Sequence, residues 1–193
     1  TSQKIWVLGF STSGIATGAE VMTVVPAGAT SIYDSADNAA STTQSNNTAS
    51  FNDKAAPTIS SVSLDAANSE LTVTFNQDVY ATNGGTGNLV AADFNLTVAS
   101  GVATIGSATP TSVVRTSQSV WVLGFSTSGI ADGNEVLTVV PASATSIYDA
   151  AGNAASTTQS NNTASFNEKV VPTITGVSLN AANSELTVTF SES

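Results

Sequence analysis

The sequence predicts an all-β protein made of tandem antiparallel β-sandwiches. Two observations lead to this fold class. Apolar and polar residues alternate with a period of two along the hydrophobic runs, and no amphipathic helix of useful length occurs. Clusters of turn-forming residues also separate these runs at short intervals, within a unit that returns after 115 residues.

The internal repeat is the most informative feature of the chain. Residues 1–10 return almost unchanged as residues 116–125. Aligning residues 1–78 with 116–193 gives 61 identities in 78 positions, without insertion or deletion. Similarity this high between neighbouring copies indicates recent tandem duplication, which is typical of long repetitive surface proteins and rare in two-domain enzymes.

Two prolines mark the predicted boundaries between repeats. Pro57 and Pro172 occupy equivalent positions, each after a polar Asn-Asp/Glu-Lys stretch that indicates a junction. We therefore predict that residues 57–171 form one complete repeat. Residues 1–56 then correspond to the C-terminal half of a preceding repeat, and residues 172–193 to the first hairpin of the next. We expect the chain to be a window of a longer array; the alternative is that neighbouring subunits complete its partial repeats.

Alternation predicts the strands of the complete repeat in order. Leu71, Val73 and Phe75 alternate with threonines, which gives one buried and one solvated face. By the same criterion strands are predicted at Ile59–Leu64, Leu71–Phe75, Phe94–Val98, Val120–Phe125, Val136–Val140 and Thr163–Phe166, with weaker ones at 102–105 and 112–115.

Turn residues separate these strands. Asp65–Asn68 joins the first two, Asn83–Asn88 follows the second, and Asp132–Asn134 precedes the strand that begins at Val136. In the polar stretch 142–162 we predict a turn at Asp149–Asn153 followed by strand pairing. Seven or eight short strands within 115 residues predict tandem immunoglobulin-like antiparallel β-sandwiches.

The composition disfavours several kinds of chemistry and partner. The chain has no His and no Cys, which removes the usual zinc ligands, thiol nucleophiles, imidazole bases and disulfides. Its formal net charge of −10 disfavours nucleic acid and anionic lipid as partners. No hydrophobic run approaches the length of a membrane span, so we expect no membrane insertion.

The order of the motifs resembles a known family. The Asp93-Phe94 strand start, the Trp121–Phe125 strand and the Asp149–Asn153 turn are similar to the SwmB type of bacterial immunoglobulin-like repeat, found in tandem in giant secreted and cell-surface proteins. The resemblance covers residues 57–171. It implies an extracellular or cell-surface structural module of an adhesin, a fibre or a surface layer. The first copy departs from the pattern with Asp37 where the later copy has glycine, so we expect a different turn geometry there.

These features together predict a spacer or stalk, with neighbouring repeats or identical chains as partners and with cell-surface or glycan contact. Two alternatives stay open: a self-assembling filament subunit completed by strands from neighbouring chains, and a carbohydrate-binding module. Because Trp121 shares its strand face with Leu123 and Phe125, we predict a core role for it rather than a sugar-binding role. Tyr80, beside a glycine-rich loop, is the strongest candidate for a sugar contact.

We predict no enzymatic activity and no catalytic residues. The segment Gly9–Gly14 has the wrong spacing for a nucleophile elbow, and the chain has no His to act as its base. Gly84–Gly87 lacks the helix and the lysine of a phosphate-binding loop. Lys54 and Lys169 lie in polar junctions, where a solvated charge is expected rather than an isopeptide crosslink.

Calcium is the one cofactor that the residues suggest, but we assign no metal site and expect no cofactor. Ca²⁺ takes six to eight oxygen ligands, and acidic turns supply such oxygens. Asp and Asn also occur in turns for backbone reasons alone, and no Asp-x-Asp-x-Asp cluster is present. The candidate groups are Asp149 with Asn153, Asp34 with Asn38, Asp132 with Glu135, and the junction residues Asp53 and Glu168.

Overall fold

The hydrophobic runs form antiparallel strands, and the predicted all-β fold class is confirmed. The computed structural model describes residues 4–193. A short 3₁₀ helix, Ala91–Asp93, precedes the fifth strand. In chain order the strands are β1 (Val21–Thr23), β2 (Thr48–Ser50), β3 (Ile59–Leu64), β4 (Glu70–Phe75), β5 (Phe94–Ala99), β6 (Thr104–Ile105), β7 (Ser112–Arg115), β8 (Val120–Gly124), β9 (Thr127–Ser128), β10 (Val136–Pro141), β11 (Thr163–Ser165), β12 (Ile174–Leu179) and β13 (Leu186–Phe190).

Two sheets enclose the core. One sheet has the order β3-β4-β8-β7 and the other has the order β11-β10-β5. Inward residues of both sheets, such as Leu71 and Leu123 of the first and Leu96 and Leu137 of the second, belong to one buried hydrophobic cluster. Two antiparallel sheets that share one core are consistent with the predicted β-sandwich.

The strand register explains which residues enter the core. Leu71 lies opposite Leu123, and Val73 lies opposite Trp121. Since side chains alternate across a strand, this register turns every second residue of β4 and β8 inward at once. The intervening Thr72 and Val122 face the other side and are half buried.

Most predicted strands are present with small shifts of their ends. β3 and β7 have the predicted bounds, while the strand that contains Trp121 begins at Val120 as predicted and ends one residue earlier, at Gly124. The turn at 149–153 with pairing after it is confirmed, because Tyr148 bridges Ala154. β9 was not predicted, because Thr127–Ser128 lies in a polar stretch before Gly129 that is typical of a loop.

A side-chain lock ties the first hairpin to the end of the repeat. Asn68 occupies the left-handed region with φ 58° in the turn between β3 and β4. Its Nδ2 donates to the Asn167 carbonyl at 2.7 Å, and its Oδ1 accepts from the Asn167 backbone N–H at 2.8 Å. The two residues are almost a hundred positions apart, so these bonds help to close the repeat across its full length.

Equivalent residues of the repeated sequence differ sharply in burial. Trp121 is 1% exposed, whereas the equivalent Trp6 is 79% exposed. The eighteen buried hydrophobic residues of the described chain all lie between Ile59 and Phe166. The partition at Pro57 and Pro172 stays a prediction, and this distribution of burial favours it. Within residues 4–193, the first copy has no hairpin packed against it that corresponds to β3–β4.

This difference yields a matched pair of substitutions. We expect Trp121→Ala to lower the free energy of unfolding by about 3–5 kcal/mol, because a large buried side chain leaves a cavity. Trp6→Ala should change it by less than about 0.5 kcal/mol, since an exposed side chain loses little on truncation. Urea unfolding of both variants measures this, and equal losses would contradict the distribution of burial described above.

Candidate functional site

Polar side chains converge at two places in the 57–171 repeat. The first is a group that we call the Glu135 clasp: the Glu135 carboxylate with the backbone N–H groups of Val102, Ala103 and Gly133. Glu135 is fully buried directly before β10. Its Oε1 accepts from the Val102 and Ala103 N–H groups at 2.8 and 2.7 Å, and its Oε2 accepts from Gly133 at 3.1 Å. The carboxylate therefore holds the turn after β5 against the turn before β10.

The clasp stabilises the charged form of its carboxyl group. Burial alone would raise the pKa of Glu135, but the backbone N–H groups of Ala103 and Val102 outweigh it and lower that pKa from 4.5 to about 2. Gly101 is needed beside the clasp, since its φ is +63° and a Cβ there would overlap the Glu135 side chain. A buried acid is thereby used as a structural acceptor.

The second place is the junction before Pro57. Here Gln77, Asp149 and Asn153 form what we call the junction clamp. The buried Asp149 carboxylate accepts from Asn153 Nδ2 at 2.8 Å and from Gln77 Nε2 at 3.1 Å. Gln77 Nε2 also donates to the Ala55 carbonyl at 3.1 Å, and Asn153 Nδ2 donates to the Asp53 carbonyl at 3.3 Å.

The junction clamp fixes the chain that enters the repeat. One carboxylate binds both amides, and their N–H groups donate to the carbonyls of Asp53 and Ala55, which are two residues apart in the connecting segment. The position equivalent to Gln77 in the last copy is Glu192, whose carboxylate cannot donate to a carbonyl. The junction at Pro172 therefore lacks this donor.

Each calcium-candidate pair of the sequence lies within a hydrogen-bonded turn of its own. Asp149 and Asp34 each accept the backbone N–H of the asparagine four residues later, at 2.8 and 2.9 Å. Asp132 donates its backbone N–H to Glu135 and accepts that of Asn134. Within residues 4–193, no group of three or more His, Cys, Asp or Glu is placed to hold a metal ion.

The junction acids do not join these turns into a larger cluster. Asp53 Oδ1 accepts the Ala55 N–H at 2.8 Å, within its own connecting segment. Glu168 lies at the other junction, beside Gly133, where a Cβ on the glycine would meet the Glu168 Cβ at 3.3 Å. The two acids belong to equivalent positions of successive repeats, so each acts at its own junction.

The expected difference in turn geometry at Asp37 was wrong. Asp37 and Gly152 both have positive φ, 65° and 86°. Both turns have the same two backbone bonds. The N–H of Asp34 or Asp149 donates to the carbonyl of the asparagine four residues later at 3.0 Å, and the N–H of Asp37 or Gly152 donates to the Asp34 or Asp149 carbonyl at 3.2 Å. Asp tolerates the left-handed region better than most residues, so the substitution preserves the turn.

The remaining candidates from the sequence are either buried in the core or bonded to neighbouring segments through their backbone. Trp121 is in the core as predicted, and Tyr80 is half buried and bridges Tyr148 through the backbone. Lys54 and Lys169 are exposed, and their backbone N–H groups bind the Ala16 and Ala131 carbonyls at 2.8 Å. In the part of the chain that the structure describes, no helix has the length and apolarity to cross a membrane.

Sequence reasoning paired Glu135 only with a metal and did not single out Gln77. Glu135 had one readable signal: an acid directly before an alternating strand, flanked by glycine and asparagine. Gln77 had none, because its partners Asp149 and Ala55 are distant in sequence and the topology alone brings them together.

Comparison with known proteins found two partial similarities, both to solved structures. No protein-family model matches the chain, and no curated protein sequence matches it. The N-terminal part of the bacterial S-layer protein SbsC is 24% identical over 65% of this chain and 26% of that one, with a TM-score of 0.42. The structure of S-layer protein rSbsC(31-844) is 24% identical over 65% of this chain and 15% of that one, with a TM-score of 0.40. The chain thus spans a small part of either S-layer structure.

The Glu135 clasp can be tested against the equivalent residue of the first copy, Glu20. Glu135→Gln should lower the free energy of unfolding by about 1–3 kcal/mol. The amide replaces one acceptor oxygen by an NH₂ donor, which cannot accept the backbone N–H groups that this oxygen binds. Glu20→Gln is the matched control, since Glu20 accepts only from its own turn at Thr17 and is not fully buried.

The pH dependence adds a second readout to the same pair. The folded pKa of Glu135, about 2, lies below the unfolded value of 4.5, so the unfolded chain binds more protons between those values. The stability from the clasp is then fully present above about pH 4.5 and is lost as the pH falls towards 2. Glu135→Gln should flatten the stability profile in that window; an unchanged profile would contradict the clasp.

The junction clamp has a matched pair in adjacent residues. Gln77→Glu should destabilise the protein by about 1–3 kcal/mol, because it removes two donated bonds and places a second carboxylate against Asp149. Asn76→Asp carries the same charge change but keeps the acceptor that binds the Thr58 N–H at 2.8 Å. Amide exchange at residues 53–55 should accelerate in the first variant and not in the second. Equal acceleration in both would exclude a role for the clamp.

Proposed function

We propose that this protein is a structural repeat module, a spacer or stalk in a large extracellular fibre, adhesin or surface-layer protein. In this role each repeat contributes length and stiffness, and its surface needs no reactive site. Location outside the cell is part of the same proposal, since it follows from the resemblance to SwmB-type repeats. The module is not proposed to be an enzyme.

The observation that carries the proposal is the placement of the core. Every buried hydrophobic residue of the described chain lies between Ile59 and Phe166, within one period of the repeat. A unit that encloses its own core can be copied in tandem without a new interface for each copy. The junction clamp supports the same function, because it restrains the connection into the repeat.

The charge distribution supports a module used at high local density. Residues 57–171 contain eight acids and two bases, a net charge of −6 per repeat. Like charge on every copy keeps neighbouring arrays soluble and disfavours misfolding between near-identical units. The acids in the Asp149 and Glu135 turns accept hydrogen bonds within the protein, which favours a structural use over a catalytic one.

The proposal predicts a rod whose length grows linearly with the number of repeats. Concatemers of one, two and four copies of residues 57–171 should gain roughly 30–40 Å in maximum dimension per copy, the span of a sandwich of seven- or eight-residue strands plus its junction. Small-angle scattering measures this, and Gln77→Glu in every copy is the control for stiffness. Compact concatemers, or copies that fail to fold separately, would contradict a spacer. Saturable binding to a glycan array would favour the carbohydrate-binding alternative.

A further inference from the structure

Two apolar surfaces outside the core repeat sequences that are buried within it. We call the first the open face: Trp6, Leu8, Phe10, Met22 and Phe51, which line open hollows in the segment 4–56. The second is the inner face of the β12–β13 hairpin. There Ile174, Leu186 and Phe190 are all more than half exposed, whereas the equivalent Ile59, Leu71 and Phe75 are buried.

The complete repeat shows how two such surfaces fit. Within it, the β3–β4 hairpin covers the strand that corresponds to residues 5–9, with Leu71 opposite Leu123 and Val73 opposite Trp121. Residues 57–78 and 172–193 are identical at 16 of 22 positions, and residues 1–56 and 116–171 are identical at 45 of 56 positions. We propose that the open face binds the β12–β13 hairpin of a second copy of this chain, in the register that β4 and β8 have within the repeat.

The polar contacts of that intramolecular interface have identical counterparts on both surfaces. Asn68 and Asn167 bind each other through side chain and backbone, and both are asparagine in the equivalent positions 183 and 52. The Ile59 N–H donates to Gln159 Oε1 at 2.8 Å, and position 44 is also glutamine. The fit is therefore specified by hydrogen bonds as well as by apolar contact.

The donated hairpin is already in its bound shape. The pairing of β12 with β13 has a register shift after its first residue, and the pairing of β3 with β4 has the same shift at the equivalent place. Asn183 has φ 54°, close to the 58° of Asn68 in the equivalent turn. A preformed hairpin loses little conformational entropy on binding, which favours association between copies.

The docked unit is smaller than the covalent repeat. Counterparts of thirteen of the eighteen buried hydrophobic residues are supplied, four by the hairpin and nine by residues 4–56. The other five, among them Phe94 and Leu96, belong to residues 79–115, for which neither of the two surfaces contains an equivalent. The contact therefore lacks the strand that pairs with β10 on its β5 side. It joins different surfaces of the two copies, so it is a head-to-tail contact that repeats from one copy to the next.

The register can be tested by disulfide crosslinking of the full chain, which has no cysteine of its own. The Phe125 N–H donates to the Ser69 carbonyl, which makes the neighbouring Thr72–Val122 pair a non-hydrogen-bonded one. In such pairs the Cα atoms lie about 4.5 Å apart, within the range of a disulfide. The equivalent pair between copies is Thr187 and Val7, so the test variant is Val7→Cys/Thr187→Cys.

The matched control is Val7→Cys/Ser178→Cys. Ser178 pairs with Thr187 and so lies one strand further away, at about 10 Å from residue 7, too far for a disulfide. Under oxidised glutathione the test variant should form a ladder of linked multimers that reduction returns to the monomer, and the control should stay monomeric. Equal ladders, no ladder, or a disulfide closed within one chain would overturn the proposal.

A second measurement removes the crosslink and tests which side chain is buried. Light scattering of the cysteine-free chain should show mass rising with concentration. Trp6→Ser should weaken this association roughly tenfold or more, as expected for an aromatic anchor. Val7→Ser should change it little, because the equivalent Val122 faces away from the core, although both side chains are exposed in the single chain. Equal effects of the two substitutions on association would indicate non-specific hydrophobic contact and would overturn the proposed register. The spacer role is measured on residues 57–171 alone, so it stands or fails independently.

Discussion

The fold depends on one constraint: the inward face of β8 must be covered. Trp121 and Leu123 lie on a strand that is paired on both sides, by β4 and by β7, and faced by the second sheet. At residues 5–9 nearly the same sequence has neither strand neighbour, forms no strand, and is exposed. Burial in this protein is therefore a property of the covering segment and not of the strand's own sequence.

Polar side chains complete what the hydrophobic core begins. Asn68, Asp149 and Glu135 are buried, and each binds a part of the chain far from it in sequence or across a turn. A buried polar group is costly when unpaired, so these networks penalise alternative arrangements more than they add to net stability. For an array of near-identical copies this is useful, because strands of neighbouring repeats compete for the same partners.

Local sequence patterns were sufficient to predict the strands of the core. Alternation located Leu71, Val73 and Trp121 on inward faces, because the period of two is a local property of the backbone. The exposure of Trp6 could not be predicted in the same way, since its neighbours repeat those of Trp121. Likewise Glu135 looked like a metal ligand, because its backbone donors at Val102 and Ala103 come from a distant turn. Strand alternation therefore predicted which residues face the core, but it could not predict contacts between segments that only the topology brings together.

The open face and the hairpin follow from the same constraint. An apolar strand face without a cover attracts whichever segment matches its register, and the repeat supplies such a segment in the same chain. Whether copies assemble or a longer array supplies the cover, the interface has the same residues.

Hydrogen exchange of the intact chain tests the central constraint most directly, at a concentration where it is monomeric. Residues 120–124 and 5–9 differ in sequence only at their first position, so their intrinsic exchange rates are nearly equal. If covering strands determine burial, amides 120–124 will exchange only on global unfolding, and amides 5–9 will exchange at close to the unprotected rate. Comparable protection of the two segments would contradict the account.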